Sequence, residues 1–381
     1  MIRQSATGIS PTLTITIGDV PVDYNSVVAV TIDLKSDSHD MCEVTMAGVP
    51  ARFVTEYIGK PVFVRMDSGP SYVSEFYGTI EFVKPLSVTA DGTVNRSLLQ
   101  EVVFVCFGTS YKMRGMISRV WANNTLEYVA REFCSTYGLS LDVPKDDLVF
   151  ENLTQSNESD WQFLVRYCDI MGYCVTVHGT HMHIFDPHKA FGRSTSVHKI
   201  STITRTGSKP SPGQITSFDG KFSRMTIDGT YLDASTTVHT DLGVIFDVST
   251  SDVEKLDVAG EITTSLNTAV NTYDQAVRLL KSTQREDYDY TATAVVIGLL
   301  GALPGGIVNL DRYDGLFDGL WYVEGVRHFL RTGMFVTTLD LRKNKVDVLW
   351  DKGTQAYSLP PKPTYVNDQW TSSYRTVNVY V

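Results

Sequence analysis

The chain lacks the short motifs that announce most enzymes. It has no Gly-x-Ser-x-Gly elbow, no phosphate loop and no His-Glu-x-x-His pair, which removes the common signatures of acyl transfer, nucleotide binding and zinc hydrolysis. Basic residues are also in deficit, with 33 Lys and Arg against 43 Asp and Glu, a net charge of −10 and no basic block. Tight nucleic-acid binding needs cations gathered on one face, so sequence-specific binding is excluded; an acidic wall repels phosphate and suits a conduit rather than a clamp. Long apolar runs are missing too. The longest, Ala294 to Leu303, is interrupted by Gly298 and Gly301 and stops at Pro304, far short of the ~20 residues of a spanning helix. A buried strand and turn explain it, with a loop touching a membrane as the alternative. The N-terminus, MIRQSATGISPT, has no apolar core of signal-peptide length, and no membrane anchor is expected.

Cysteine is scarce and odd in number. Cys42, Cys106, Cys134, Cys168 and Cys174 each sit in an apolar periodic segment, which fits buried free thiols made in a reducing cytoplasm. Cys168 and Cys174 do not have zinc-knuckle spacing. Cys134 or Cys168 could be imagined as a nucleophile beside a histidine, but on an apolar helix face a thiol is inert. No catalytic residue and no cofactor are expected, and the chain reads as a non-enzyme.

What is plentiful is strand material. Nineteen Tyr and 17 Phe accompany 43% apolar residues, and a chain of 381 residues predicts two or three domains. Residues 1–108 alternate strand and turn: Leu13, Ile15 and Ile17; Val28, Val30, Ile32 and Leu34; Val62, Val64 and Met66; then Phe76 to Val83 and Val102 to Phe107. This predicts a small antiparallel barrel or sandwich.

Residues 109–200 turn helical. Asn124 with Glu127 reads as a capping-box-like start to a helix that buries Leu126, Val129, Ala130, Phe133 and Tyr137 and stops at Gly138. Asn157 with Asp160 reads as the start of a second. That helix has one stripe of Trp161, Leu164, Val165 and Cys168, another of Phe163, Tyr167 and Ile170, and ends at Gly172. A hairpin from Cys174 to Phe185 follows. It carries the one cluster with possible chemistry: His178, His181 and His183, with Asp186 and His188 close behind. His181 and His183 would share a strand face, as metal ligands can, while His178-Gly179-Thr180-His181 is most simply the polar turn itself.

Residues 201–213 read as a linker. From 201 to 349 strands return around an amphipathic helix expected at about 265–283, including Tyr290 to Val296, Val308 and Leu310, Leu320 to His328 and Phe335 to Leu341. Residues 350–381 leave the globular pattern. The stiff Leu359-Pro360-Pro361-Lys362-Pro363 precedes an alternating stretch, Tyr374 to Val381, that could pair with a neighbouring subunit or fray.

The order Asn157-Glu158-Ser159-Asp160, Trp161, Phe163-Leu164, Arg166 and Gly172-Tyr173, followed at once by a hairpin, resembles a segment of the baseplate hub proteins of phage tails. Late-control D proteins of temperate phages and the base of type VI secretion spike proteins carry a similar segment. Helix, strand pair, Pro304-Gly305-Gly306 turn and the strand through Trp321, Tyr322 and Val323 follow in an order similar to the second half of those proteins.

The resemblance implies a mostly β, α+β fold: two tube-like antiparallel β-barrel domains, the second a copy of the first, with an α+β domain between them. It implies a homotrimer whose six barrels ring an axis, meeting the tail tube on one face and a spike or fibre on the other, with baseplate proteins at the periphery and DNA only in transit. The virion, at the distal end of the tail, would be its place. A receptor- or carbohydrate-binding virion protein, and the base of a type VI or bacteriocin particle, are the alternative readings.

Overall fold

A computed structural model describes residues 11–50, 55–68, 72–86, 99–146, 148–187, 197–201, 212–222, 233–239, 245–249, 261–267, 290–311, 317–343, 349–351, 356–366 and 369–377. The fold is mostly β. In the first part, strands β1 (Thr12–Ile17), β2 (Val20–Pro21), β3 (Val27–Lys35), β4 (Met41–Pro50), β5 (Pro61–Asp67), β6 (Val73–Leu86) and β7 (Leu99–Gly108) lie side by side in the order β2-β1-β5-β6-β7-β4-β3, all antiparallel. Their sequence alternation works as period-two alternation should. Val30, Ile32, Leu34, Val62, Val64 and Met66 face one core, while the residues between them stay partly exposed.

The middle part comprises β8 (Met116–Asn124), α1 (Leu126–Tyr137), β9 (Ser140–Asp142), β10 (Phe150–Ser159), α2 (Asp160–Ile170), β11 (Cys174–His178) and β12 (His181–Phe185). Strands β8 and β10 form a ribbon, and β9 runs parallel beside the β11–β12 hairpin. Both helices bury their predicted stripes in one core with Trp121, Phe133, Phe150, Phe163 and Tyr167.

The last part holds β13 (Val197–Ser201), β14 (Ile215–Phe222), β15 (Asp233–His239), β16 (Ile245–Ser249), β17 (Glu261–Asn267), β18 (Tyr290–Ile297), β19 (Ile307–Asp311), β20 (Gly319–Arg331) and β21 (Met334–Lys343). Strands β15 to β17 make a small separate sheet. The others follow the order β14-β18-β21-β20-β19-β13.

That order repeats the first part. Taken as β3-β4-β7-β6-β5-β1, the first part matches it strand for strand, both in space and along the chain. The irregularities match as well. The β3·β4 ladder shifts register between Val27 and Ala29, and β14·β18 does so between Ile215 and Ser217. The β6·β7 ladder shifts between Ile80 and Phe82, and β20·β21 between Val323 and Gly325. Gly59 N–H donates to Ile80 O (2.8 Å) and Ile80 N–H to Lys60 O (3.0 Å); Gly305 N–H donates to Val323 O (2.9 Å) and Val323 N–H to Gly306 O (2.9 Å). Both glycines hold left-handed φ, +83° and +85°. One difference stands out: β1 runs antiparallel to β5, whereas β13 runs parallel to β19.

The two parts are fused edge to edge. Strand β3 pairs with β20 from Ala29–Arg331 to Lys35–Gly325, making one 13-stranded sheet. Among the described residues neither part closes on itself, because the edge of β3 that would complete a first barrel is given to β20. In place of the expected pair of separate barrels, one strand order occurs twice within a single large sheet.

Three local expectations change. Helix α2 is capped not by Asn157 but by Ser159, in a true capping box with Gln162 (Gln162 N–H to Ser159 Oγ 3.1 Å; Ser159 N–H to Gln162 Oε1 3.0 Å). Asn157, at φ +49°, lies in the irregular stretch of β10. Helix α1 is capped by Thr125, whose Oγ1 accepts from Tyr128 N–H at 3.2 Å, and Asn124 instead ends β8. The helix expected at 265–283 begins where β17 is still a strand; 268–283 lie outside the described residues, as does His188. Within 350–381, β23 (Ala356–Val366) pairs with β24 (Gln369–Val377) and with β22 (Leu349–Asp351), so the terminal strand finds its partner in its own chain. Pro360 and Pro361, which lack N–H groups, fall in the register shift between Leu359 and Lys362.

The cap assignment is testable. Ser159→Ala should cost about 1 kcal/mol of stability. Asn157→Gly should be neutral or stabilising, because glycine adopts its left-handed φ without strain. Denaturant melts of the two variants decide between the two caps.

Candidate functional site

Each histidine of the hairpin has its own partner. His178 Nδ1 donates to Asp40 Oδ2 (2.8 Å), His181 Nδ1 lies 2.8 Å from Ser140 Oγ, and His183 Nε2 lies 3.3 Å from Asp142 Oδ2. His178 and His181 close the turn, facing each other in the ladder. Among the described residues, no group of three or more His, Cys, Asp or Glu side chains is placed to hold a metal. The hairpin histidines tie the hairpin to two neighbours, His178 to the turn between β3 and β4, and His181 and His183 to β9.

The hairpin sits where all three parts meet, and the β3–β4 turn, residues 36–40, pins them together. Ser36 N–H donates to Glu324 O (3.0 Å) in β20, and its hydroxyl lies 3.3 Å from Tyr322 Oη. Asp37, at φ +58°, gives its N–H to Val175 O (2.8 Å) and receives Val175 N–H on Oδ1 (2.8 Å). His39 Nδ1 bonds Ser110 Oγ (2.9 Å), and its ring packs 4.9 Å from Trp161 of α2. Asp40 takes His178; burial raises its carboxyl and the imidazole opposes that rise. On the other flank Cys174 and Phe185 pack with Ile307 and Tyr322, and Gly305 lies against the Phe185 ring.

A cavity of about 720 Å³ opens at this junction, lined by Asp37, Trp161, Gln162, Val165, Arg166, Asp169, Glu324 and Arg342. Arg342 forks onto Glu324 (2.7 and 2.6 Å), and Arg166 binds Glu158 and the Thr154 carbonyl. The lining offers no hydroxyl or thiol nucleophile and no imidazole. The five cysteines are buried thiols, and burial pushes Cys106 up to about 12 and Cys134 to about 11, away from thiolate chemistry.

Sequence reasoning missed the polar chain that crosses the seam between the two repeats. His328, fully buried on β20, has Nε2 2.9 Å from Ser74 Oγ of β6 and Nδ1 2.9 Å from Thr337 Oγ1 of β21. Thr337 Oγ1 gives its proton to Leu299 O (3.1 Å) and accepts Leu299 N–H (3.1 Å); Ser74 Oγ accepts Gly301 N–H (3.2 Å). Donor counting then fixes the tautomer. Nδ1 carries the hydrogen and Nε2 accepts from Ser74, so neutral imidazole satisfies every partner. Burial holds His328 down to about 4, and His39 also to about 4. The only sequence signal was a histidine at an inward-facing position of a strand.

Known proteins share this architecture. Residues 94–204, under a third of the chain, match a family model described as the Alg8 N-terminal domain. No curated protein sequence matches. Among solved structures, the tail protein from Neisseria meningitidis MC58 is 12% identical with a TM-score of 0.63, over 88% of this chain and 97% of that one. The 43 kDa tail protein of prophage MuSo2 from Shewanella oneidensis is 12% identical with a TM-score of 0.58, over 87% and 96%. An Escherichia coli component of the type VI secretion system is 11% identical with a TM-score of 0.54, over 95% and 92%. The chain has the fold of these tail and secretion proteins. No helix among its described residues is long and apolar enough to cross a membrane.

The seam makes a pH prediction. His328 sits near 4 when folded, against 6.5 for an ordinary imidazole. The unfolded chain therefore binds the extra proton between those values. Stability is complete above pH 6.5 and falls as pH drops towards 4, by up to about 3 kcal/mol for this residue. Urea midpoints should fall over that range in the wild type and fall less in His328→Gln; an unchanged pH slope in the variant would refute the assignment.

Proposed function

We propose that this chain is a structural hub of a phage tail baseplate. Three copies ring an axis, the six sheet repeats stand as two tube-type domains per chain, and the ring joins a sixfold tail tube on one face to a threefold spike or fibre on the other. The observation that carries this reading is the duplication, since two near-equivalent repeats per chain let three chains present six positions. Residues 1–108 and 201–349 supply the tube-type domains, 109–200 faces outward to baseplate proteins, and 350–381 follows the second.

DNA would pass through the ring. The outer face of the fused sheet suits a channel wall: it carries threonines such as Thr31, Thr45 and Thr293, and charges of both signs that answer each other. Arg327 Nε meets Asp33 at 2.9 Å, Lys84 lies 3.5 Å from Glu43, and Thr293 donates to Asp340 at 3.2 Å. Among the described residues of that face each cation named has an acidic partner, which leaves little to retain phosphate. The function is geometric and needs no catalytic residue, and its place is the distal end of the tail in the virion. The likeness to a type VI secretion component supports one variant of the reading, in which the same chain is the hub-like base of a type VI or bacteriocin injection particle.

Sedimentation of the purified chain should show a trimer in equilibrium with monomer, and electron-microscope class averages should show a threefold ring with a central hole. A compact monomer at all concentrations, both alone and with tube protein, refutes the hub.

A further inference from the structure

Two of the five free thiols face each other. Cys42 on β4 and Cys106 on β7 are direct partners in the antiparallel ladder, at the middle of a row that runs Ile32, Cys42, Cys106 and Ile80 across four neighbouring strands. All four side chains are fully buried in the core of the first repeat. Burial raises the Cys42 thiol first, and the facing Cys106 adds to the rise. The other cysteines have different neighbours: Cys134 Sγ lies 3.6 Å from Met182 Sδ, Cys174 Sγ accepts the Tyr322 hydroxyl at 3.7 Å, and Cys168 is buried on α2.

The ladder fixes the kind of pair. Gly108 N–H donates to Asp40 O at 2.8 Å, which makes these two a hydrogen-bonded pair. Pairs alternate along an antiparallel ladder, so Met41 with Phe107 is the non-bonded kind and Cys42 with Cys106 is again the bonded kind. The Cα atoms of such a pair stand about 5.5 Å apart, inside the range of about 4.4–6.8 Å that a disulfide spans. Opposed Cβ atoms stand about 4.5–5.5 Å apart and a disulfide holds them at about 3.5–4.5 Å, so closing the bond draws β4 and β7 together by about 1 Å. The bond fits with a little strain, and that strain keeps it open to reduction.

We propose that Cys42 and Cys106 form a reversible cross-strand disulfide under oxidising conditions, with a small peroxide as the oxidant. One thiol gives up its proton and its sulfur attacks a peroxide oxygen; the O–O bond breaks, leaving a sulfenic acid and one water. The second sulfur, losing its own proton, attacks the first; the S–S bond forms, the S–O bond breaks and another water leaves. Two thiols are thus oxidised by two electrons while hydrogen peroxide is reduced to two waters. Burial holds both protons on, Cys106 up to about 12, so the first attack waits on local opening of the ladder and is slow. Once it has happened the resolving thiol is already opposite, and oxidation stops at the disulfide instead of running on to sulfinic acid. The closed bond then ties two neighbouring strands of the first repeat across a long loop of chain, which restricts the unfolded state.

The test uses the full chain, purified reduced and exposed in native buffer to hydrogen peroxide until the exposed Met116 is converted to its sulfoxide. It is then unfolded in an alkylating agent and mapped by mass spectrometry. The main product should be a Cys42–Cys106 linked peptide, two hydrogens lighter than the two thiol peptides together and reopened by dithiothreitol, with Cys134, Cys168 and Cys174 alkylated. The same treatment in denaturant should scatter the pairings among all five cysteines. Alkylated thiols at both positions, sulfinic acid at either, or native pairings as scattered as those of the denatured chain, as the main product, overturns the proposal.

Discussion

A strand has two hydrogen-bonding edges, and in this molecule β20 spends one of them twice. Its first four residues complete one repeat by pairing with β19; its last seven hold β3 of the other repeat. The changeover falls at Glu324 and Gly325, beside the register shift against β21. A bulge adds twist and kink locally, which lets two partners approach one edge without colliding. Gly325 leaves the space at the changeover to the Asp340 side chain, whose carboxylate oxygen would lie 3.2 Å from a Cβ there. Among the described residues no other ladder joins the repeats, and the core of the first is sealed partly by Leu300, Leu330 and Phe335 of the second.

The β3–β4 turn extends that constraint to the middle part. Its residues reach three neighbours: Ser36 meets β20, Asp37 and Asp40 meet the β11–β12 hairpin, and His39 meets Trp161 of α2. The signature segment of the sequence is structural in the same sense. Asp160, buried at the first turn of α2, accepts Tyr137 Oη–H (2.7 Å), Gln155 Nε2–H (2.9 Å) and Arg119 (3.2 Å), tying α2 to α1, β10 and β8. A motif that marks a family by resemblance here marks a packing joint rather than a reactive centre.

Strands whose alternation is regular were legible from sequence: β1, β3, β5, β18 and β21 carry their buried residues at every second position. Those read poorly had the pattern broken. Strand β4 shifts register between Met46 and Val49, β8 buries Trp121 but exposes Met116 and Val120, and β10 is polar over most of its length. Helix starts were misplaced by one or two residues because Asn, Ser and Thr compete for the cap, and only the backbone decides which leaves the strand first. The duplication itself was invisible because the equivalent positions share burial and hydrogen bonding rather than residue identity. Cys106 answers to Leu341 and Val44 to Ala294, while identical pairs such as Gly59 with Gly305, Glu81 with Glu324 and Val83 with Val326 are scattered singly. The seam histidine was equally hidden, since its partner across the seam, Ser74 on β6, is far away in sequence.

The matched hairpins also differ in what they hold at their tips. In the first repeat the tip is the short turn 36–40; in the second the same position opens into residues 223–289, with β15, β16 and β17 inside it. The added length of the second repeat is thereby gathered at one vertex, while its ladders differ from those of the first in the direction of β13 against β19. A duplicated sheet elaborated at one of its two equivalent vertices alternates plain and decorated corners, so its flat side repeats with every half of the chain and its rim only with every whole chain.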